Sequence, residues 1–177
     1  EYKFLRDDQT LFAYLHLAGD QENAKQLIDT GITGIAYETV TASDGSMPLL
    51  APMSTIAGQL AFVVGSYHLL KHNKGKGVMI GKMEDIDPRV VTVIGAGVAG
   101  TQSILKAQDN RANVKVVDSS QEKLDELKSK YESNNIEYIL STKDSIQSSI
   151  NESDLVIGSV YVVGKEAPKV ITKDMLT

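Results

Sequence analysis

The sequence predicts an α/β protein: a doubly wound parallel sheet preceded by part of a second α/β unit. Three observations carry that reading. From Arg89 onward, short apolar runs alternate with helical segments, the pattern of strands joined by crossover helices. The runs themselves, such as Val90 to Ile94, are continuously apolar, as strands covered on both faces are. A strand-to-helix junction rich in glycine, Gly95-Ala96-Gly97-Val98-Ala99-Gly100, opens the series.

The elements follow in chain order. Leu11 to Ala18 is an apolar run too short for a helix and reads as a buried strand. Asp20 is placed to cap a helix over Gln21 to Asp29, and Gly31 stands where a helix ends. Thr33 to Val40 is rich in β-branched and aromatic residues and reads as a strand, which completes a short βαβ unit. Asp44-Gly45 signals a turn, and Pro48 and Pro52 mark a domain boundary. Residues 1–49 are therefore read as part of a first domain, and residues 50–177 as a second, incomplete at its C-terminal end.

Ser54 sits at an expected N-cap of a helix reaching Leu70, with Ile56, Leu60, Val63, Val64, Tyr67 and Leu70 on one face. Beyond it come strands over Val90 to Ile94, Val114 to Val117, Ile136 to Leu140 and Leu155 to Ile157. Helices over Gly97 to Asp109, Gln121 to Glu132 and Ser145 to Ile150 connect them. The first of these ends without the usual glycine, and Asn110 is expected to take the left-handed turn in its place.

Composition narrows the chemistry. A net charge of -5 and the lack of a basic stripe argue against nucleic acid as a partner. The absence of cysteine removes disulfides, thiolate catalysis and cysteine-bound zinc. No apolar run approaches the length of a membrane span. His68 and His72 have a spacing that can bind metal, but no third ligand is evident and no metal site is assigned. The chain lacks an initiator Met and stops abruptly at Met175-Leu176-Thr177, so a piece of a longer protein is expected.

The glycine spacing has a physical rationale. Gly95 permits a tight turn off the strand, Gly97 lets a pyrophosphate approach the backbone, and Gly100 lets the helix pack close to the strand. Ala96, Val98 and Ala99 complete the cofactor-binding loop. The helix N-terminus then offers unpaired N–H groups and a positive dipole end to the phosphates. Asp118 closes the next strand at about the 20-residue distance expected of the acid that grips a ribose. A carboxylate there repels a 2′-phosphate, which favours NAD over NADP. The plainer reading is a glycine turn linking strand to helix, with Asp118 capping the residues from Ser119. The coincidence of all the parts favours a Rossmann-type NAD-binding domain.

TLFAYLHLA, GIAYETV, DGSMPLLAPMSTIAG, VTVIGAGVAG and DLVIGSVYVVGKEAPKVIT follow one another as in L-alanine dehydrogenases, which the chain resembles along essentially its whole length. The transhydrogenase α-subunit shares that family's fold but resembles the chain less around Ala51-Pro52-Met53-Ser54. The resemblance implies a cytoplasmic, homo-oligomeric enzyme, a hexamer in the family. It would interconvert L-alanine with pyruvate and ammonia using NAD. It implies that His16 is the catalytic histidine, and that Ser54, Asp118, Lys123, Ser141, Val160 and Tyr161 contact the cofactor. The family's substrate-binding arginine and lysine and its catalytic aspartate have no counterpart in the chain, so this piece is expected to be inactive alone. A transhydrogenase dinucleotide subunit and a non-catalytic NAD-binding module are the alternatives.

Each of these residues also has a plainer reading. A lone histidine in an apolar run is more often packed core than catalyst. Ser54 can be only a helix cap, Lys123 a solvated helix lysine, and Ser141 a loop cap. Val160 and Tyr161, at the end of the fourth strand, can be plain core.

Overall fold

The first apolar run leaves the extended conformation at its middle. The computed structural model describes residues 2–163 and 165–176. In it β1 spans only Thr10–Ala13, and the chain turns at His16 into a 3-10 segment, Leu17–Gly19. The second run behaves the same way: β2 spans Thr33–Ala36 and passes into a 3-10 turn, Tyr37–Thr39. The sequence reading extended both strands too far. The Glu38 carboxylate takes the backbone N–H groups of Leu15 and His16, and a group so engaged is lost to a strand ladder. The βαβ order itself is present, because β1 and β2 pair in parallel from Thr10↔Thr33 to Ala13↔Ala36. Between them α1, Gln21–Asp29, starts on the Asp20 cap, whose carboxylate accepts from the Asn23 N–H at 2.9 Å. These residues belong to one of two compact units, which comprises the described residues up to Met53 and those of Val162–Pro168.

The other unit, Ser54–Tyr161 with the described residues from Lys169, is built on a four-stranded parallel sheet. Its strands are β3 (Val90–Ile94), β4 (Asn113–Asp118), β5 (Ile136–Leu140) and β6 (Leu155–Gly158), in the order β5-β4-β3-β6. The chain works outward from β3 to β5, then returns to lay β6 on the other side of β3. Side chains alternate across the sheet. Val91, Val93, Val114 and Val116 face a core that includes Phe62, Ile104, Ala107, Leu124 and Leu127. Ile94 and Val117 face Ile146 and Met175. Both faces are covered, as the unbroken apolar runs predicted.

The connecting helices are α3 (Val98–Asp109), α4 (Gln121–Lys130) and α5 (Lys143–Glu152). The last is longer than expected at both ends, because a reciprocal capping box between Thr142 and Ser145 starts it earlier. Asn110 does not take the left-handed turn after α3. It sits at φ -87°, and Arg111 has φ 57° instead. Asn110 stays in the helical register and its Nδ2 donates to the Lys106 carbonyl at 2.8 Å, so the reversal falls one residue later.

The helix before the sheet departs most from expectation. α2 spans Ala51–His68, so it starts ahead of Ser54 and ends before His72, which lies in a 3-10 turn. The α2 residues from Ser54 onward belong to the sheet-bearing unit. The face read as apolar from the sequence is turned outward: Ile56, Leu60, Val63, Val64 and Tyr67 are exposed. The inward face is the stripe of small residues. Gly58 is buried, and a Cβ there would stand 2.0 Å from the Ala99 carbonyl oxygen. Ser103 Oγ donates to the Gly58 carbonyl at 2.7 Å. A Cβ at Gly65 would meet Leu155 Cδ1 at 2.6 Å. Close backbone approach, with Phe62 filling the remaining space, decides the packing over the larger side chains.

Candidate functional site

The strand order reverses between β3 and β6, and the carboxyl ends of those strands form the crevice where an open α/β sheet takes its ligands. The predicted glycine loop lies there. Gly95 leaves β3 with φ +101°, a backbone that an L side chain rarely adopts. A Cβ on Gly100 would stand 1.8 Å from the Gly95 carbonyl oxygen, so that glycine is required by packing. Gly97 is different: a Cβ there would meet nothing within 4 Å. The crest of the loop is therefore bare and open, while its flanks are closed.

Gly97 is also the N-cap of α3, and it supplies no side-chain hydrogen bond to the first turn. The other helices that begin near this sheet edge are closed by side chains, α4 by Ser120 and α5 by Thr142. The α3 terminus alone among these three keeps its leading N–H groups unclaimed by a cap, and the helix dipole adds to their attraction for an anion.

Asp118 ends the neighbouring strand β4 and faces the same loop. Its Oδ2 accepts from the Ala96 N–H at 2.6 Å, and its Oδ1 from the Ser120 N–H at 2.9 Å. Each carboxylate oxygen has a further lone-pair direction, so two ribose hydroxyls can still be accepted. Ser141 is partly buried at the end of β5, and its N–H donates to the Asp118 carbonyl at 2.8 Å. The cap of the following helix is Thr142, so Ser141 is not that cap. Lys123 is exposed in the first turn of α4, its N–H donating to Ser120 Oγ at 3.3 Å. Ser54 lies inside the first turns of α2 rather than capping it.

Val160 and Tyr161 lie past the end of β6 rather than in it. Val160 packs against the cluster of Ile94, Val117, Ile146 and Met175, while Tyr161 is exposed. Between them and the strand stands Ser159, which the sequence reading missed. Its N–H donates to the Ile94 carbonyl at 2.8 Å, and its Oγ lies 2.7 Å from the Gly95 carbonyl oxygen. Its only signal in sequence is its place directly after Gly158, which matters once β6 is known to adjoin β3.

His16 lies in the other unit, at the carboxyl end of β1. It is exposed, so it is not packed core. It adopts φ 50° and ψ 33° at the head of the 3-10 segment. His68 and His72 are not on one helix face, and each ring meets Tyr67 edge-on at 5.6 Å. Among the described residues no group of three or more His, Asp or Glu is arranged to hold a metal ion, and no helix is long and apolar enough to cross a membrane.

Comparison with known proteins agrees with this geometry. Residues 61–177 match the alanine dehydrogenase/PNT C-terminal domain, and residues 1–57 match the N-terminal domain of the same family. The chain is 45% identical over 169 residues to an alanine dehydrogenase of Halomonas elongata, covering 96% of this chain and 45% of that one. It is 42% identical over 176 residues to an alanine dehydrogenase of Mycobacterium tuberculosis, covering 99% and 47%. A solved L-alanine dehydrogenase superposes with a TM-score of 0.85 at 38% identity, covering 99% of this chain and 48% of that chain. A transhydrogenase from Sinorhizobium meliloti shares the fold, with a TM-score of 0.75 at 22% identity over 99% and 52%. The chain thus spans about half the length of the relatives it matches. With both family domains matched in order, the chain belongs to the alanine dehydrogenase/PNT family.

Proposed function

We propose that this chain carries the NAD-binding site and the acid–base histidine of an enzyme that interconverts L-alanine with pyruvate and ammonia. The observation that supports it most is the pairing of an uncapped α3 terminus beneath a bare Gly97 with a carboxylate at the end of the next strand. The residues fit NAD. The N–H groups at the start of α3 would receive the pyrophosphate, and Asp118 the adenosine ribose. Ala96, Val98 and Ala99 would line the loop. Ser141 and Lys123 would border the adenosine side, with Ser54, Val160 and Tyr161 toward the nicotinamide.

When bound, NAD supplies the acceptor for the hydride that leaves the α-carbon of L-alanine. Water then adds to the iminopyruvate to give a carbinolamine, and His16 in this reading moves the proton: it takes one from the carbinolamine hydroxyl as ammonia departs, and returns it to the pyruvate oxygen in reverse. Homo-oligomeric assembly and a cytoplasmic location belong to the same proposal, as does the division into residues 1–49 and 50–177. The span of about half a relative's length favours a further point: this piece binds NADH but does not turn over alone.

Fluorescence titration with NADH and with NADPH tests the site, and saturable binding that prefers NADH is expected. No binding of either nucleotide by the folded chain would remove the dinucleotide reading. Alanine-dependent reduction of NAD by an enzyme containing this segment tests the substrate, and hydride exchange between NADH and NADP without alanine would favour the transhydrogenase alternative.

A further inference from the structure

Glu38 is buried at 9% exposure, yet among the described residues its carboxylate faces two consecutive backbone N–H groups instead of a cation. Oε1 accepts from the His16 N–H at 2.6 Å and Oε2 from the Leu15 N–H at 3.4 Å. Burying a carboxylate is costly unless hydrogen bonds replace its water, and bonds from backbone N–H groups to a charge are strong. What this arrangement holds is unusual. His16 has φ 50°, in the left-handed region that an L residue rarely adopts.

The direction in which the imidazole leaves the backbone follows from that conformation. The ring lies over Gly19, where a Cβ would stand 2.7 Å from Nε2 and 3.2 Å from Cδ2. Among the described residues no hydrogen bond engages either imidazole nitrogen. The ring is thus placed through its main chain and through the absence of a side chain at position 19, and both nitrogens stay available for proton exchange.

We propose that Glu38 is a positioning residue, fixing the His16 imidazole by clamping its backbone, with Gly19 leaving the space the ring occupies. In this proposal Glu38 acts through His16. The catalytic meaning of the clamp rests on the acid–base reading of His16 given above, while the clamp itself does not. It also explains why a carboxylate belongs in the 3-10 turn after β2 with no basic partner among the described residues.

The test is nuclear magnetic resonance on the 177-residue chain. In the wild type the His16 amide exchanges slowly, and its ring shows a nuclear Overhauser effect to the Gly19 α-protons. In Glu38→Ala that amide is expected to exchange at least tenfold faster and the effect to vanish, while contacts between Leu15 and Gly34 persist. Glu38→Gln should restore the ring contact in part, because its amide oxygen can still accept one N–H. A general packing role would lose the Leu15–Gly34 contacts in step with the ring contact, and that result overturns the proposal. A wild-type His16 amide that exchanges freely overturns it too, even if Glu38→Ala does not fold. Gly19→Ala is a further check: the ring should be displaced while the amide stays protected, and an undisplaced ring counts against the proposal. Alanine turnover by an enzyme containing this segment with His16→Gln tests the acid–base reading separately. Unchanged turnover there would remove His16 from catalysis and leave the clamp standing.

Discussion

Gly97→Ala and Gly100→Ala add the same methyl group three residues apart, and the structure predicts opposite consequences. At Gly97 the added carbon meets nothing within 4 Å, and φ is -74°, which alanine adopts freely. The nucleotide-free protein should keep its stability or gain less than about 1 kcal/mol from a stiffer unfolded chain. The methyl group would occupy the space through which a pyrophosphate reaches the α3 N–H groups. Losing one charge-assisted hydrogen bond costs about 1.5–3 kcal/mol, so NADH affinity should fall roughly tenfold or more. At Gly100 the added carbon would stand 1.8 Å from the Gly95 carbonyl oxygen and 2.7 Å from Ser159 Oγ. A backbone carbonyl would have to retreat by about 1.5 Å to reach ordinary contact. Overpacking of that kind costs on the order of 3 kcal/mol, or roughly 10 °C in melting temperature for a chain of this size. Thermal melts without nucleotide and fluorescence titration with NADH read the two effects. A Gly97→Ala protein that binds NADH as tightly as the wild type would refute the placement of the pyrophosphate. A Gly100→Ala protein that melts with the wild type would refute the packing account.

Asp118→Ala should weaken NADH binding about tenfold and narrow its preference over NADPH, with the fold retained on circular dichroism; unchanged affinity takes Asp118 out of the site. Phe62→Ala empties the buried contact between α2 and the sheet and should cost about 3–5 kcal/mol in urea melts; a smaller loss would mean that α2 is loosely held. Burial raises the Asp154 carboxyl, but hydrogen bonds from Lys76 and the Val90 N–H outweigh it and hold the pKa below 3.8. Because the folded pKa is the lower one, this contribution is complete above the unfolded value and lost as pH falls below 3.8. Asp154→Asn should therefore flatten the acid limb of the stability curve and leave the alkaline limb alone. Lys115 is raised above 10.5, first by its hydrogen bond to Glu152 and then by Glu137. Its contribution is complete below 10.5 and lost as pH rises through the folded value, so Lys115→Met should flatten the alkaline limb; it should also flatten the acid limb, because the Lys115 hydrogen bond is the main cause that holds the Glu152 carboxyl low.

The sheet-bearing unit was legible in sequence because its signals agree at every level. Val90–Ile94 has no polar alternation, Gly95 takes the positive φ its turn needs, and Asp118 ends the next strand facing the loop. What escaped detection depends on neighbours distant in the chain. The α2 pattern displayed Ile56, Leu60 and Val63 as a core face, but Gly58 and Gly65 decide which side can approach Ala99 and Leu155. Periodicity registers hydrophobicity and is blind to the fit of one backbone against another. β1 was overextended because Glu38, 22 residues from His16, diverts the N–H groups a strand would use, and β2 because the chain closes into the 3-10 turn Tyr37–Thr39. Ser159 was overlooked because its partner Gly95 becomes adjacent only through the return of β6.

These long-range contacts bear on binding through the state of the loop before any nucleotide arrives. The Gly95 N–H donates to the Val117 carbonyl at 2.8 Å, the Ala96 N–H to Asp118, and the Gly95 carbonyl faces Ser159 Oγ. The turn is thus held from β4 on one side and from the end of β6 on the other, and at its crest the side-chain position of Gly97 faces open space. A loop fixed in this way loses little conformational freedom when it receives a ligand, so more of the interaction energy remains as affinity. Asp118 stands in both arrangements, bracing the loop through Ala96 and facing the position proposed for the ribose. The two roles separate in the amide spectrum: loss of the brace should shift the Ala96 resonance of Asp118→Ala before nucleotide is added, whereas a ribose contact alone would leave that resonance unchanged.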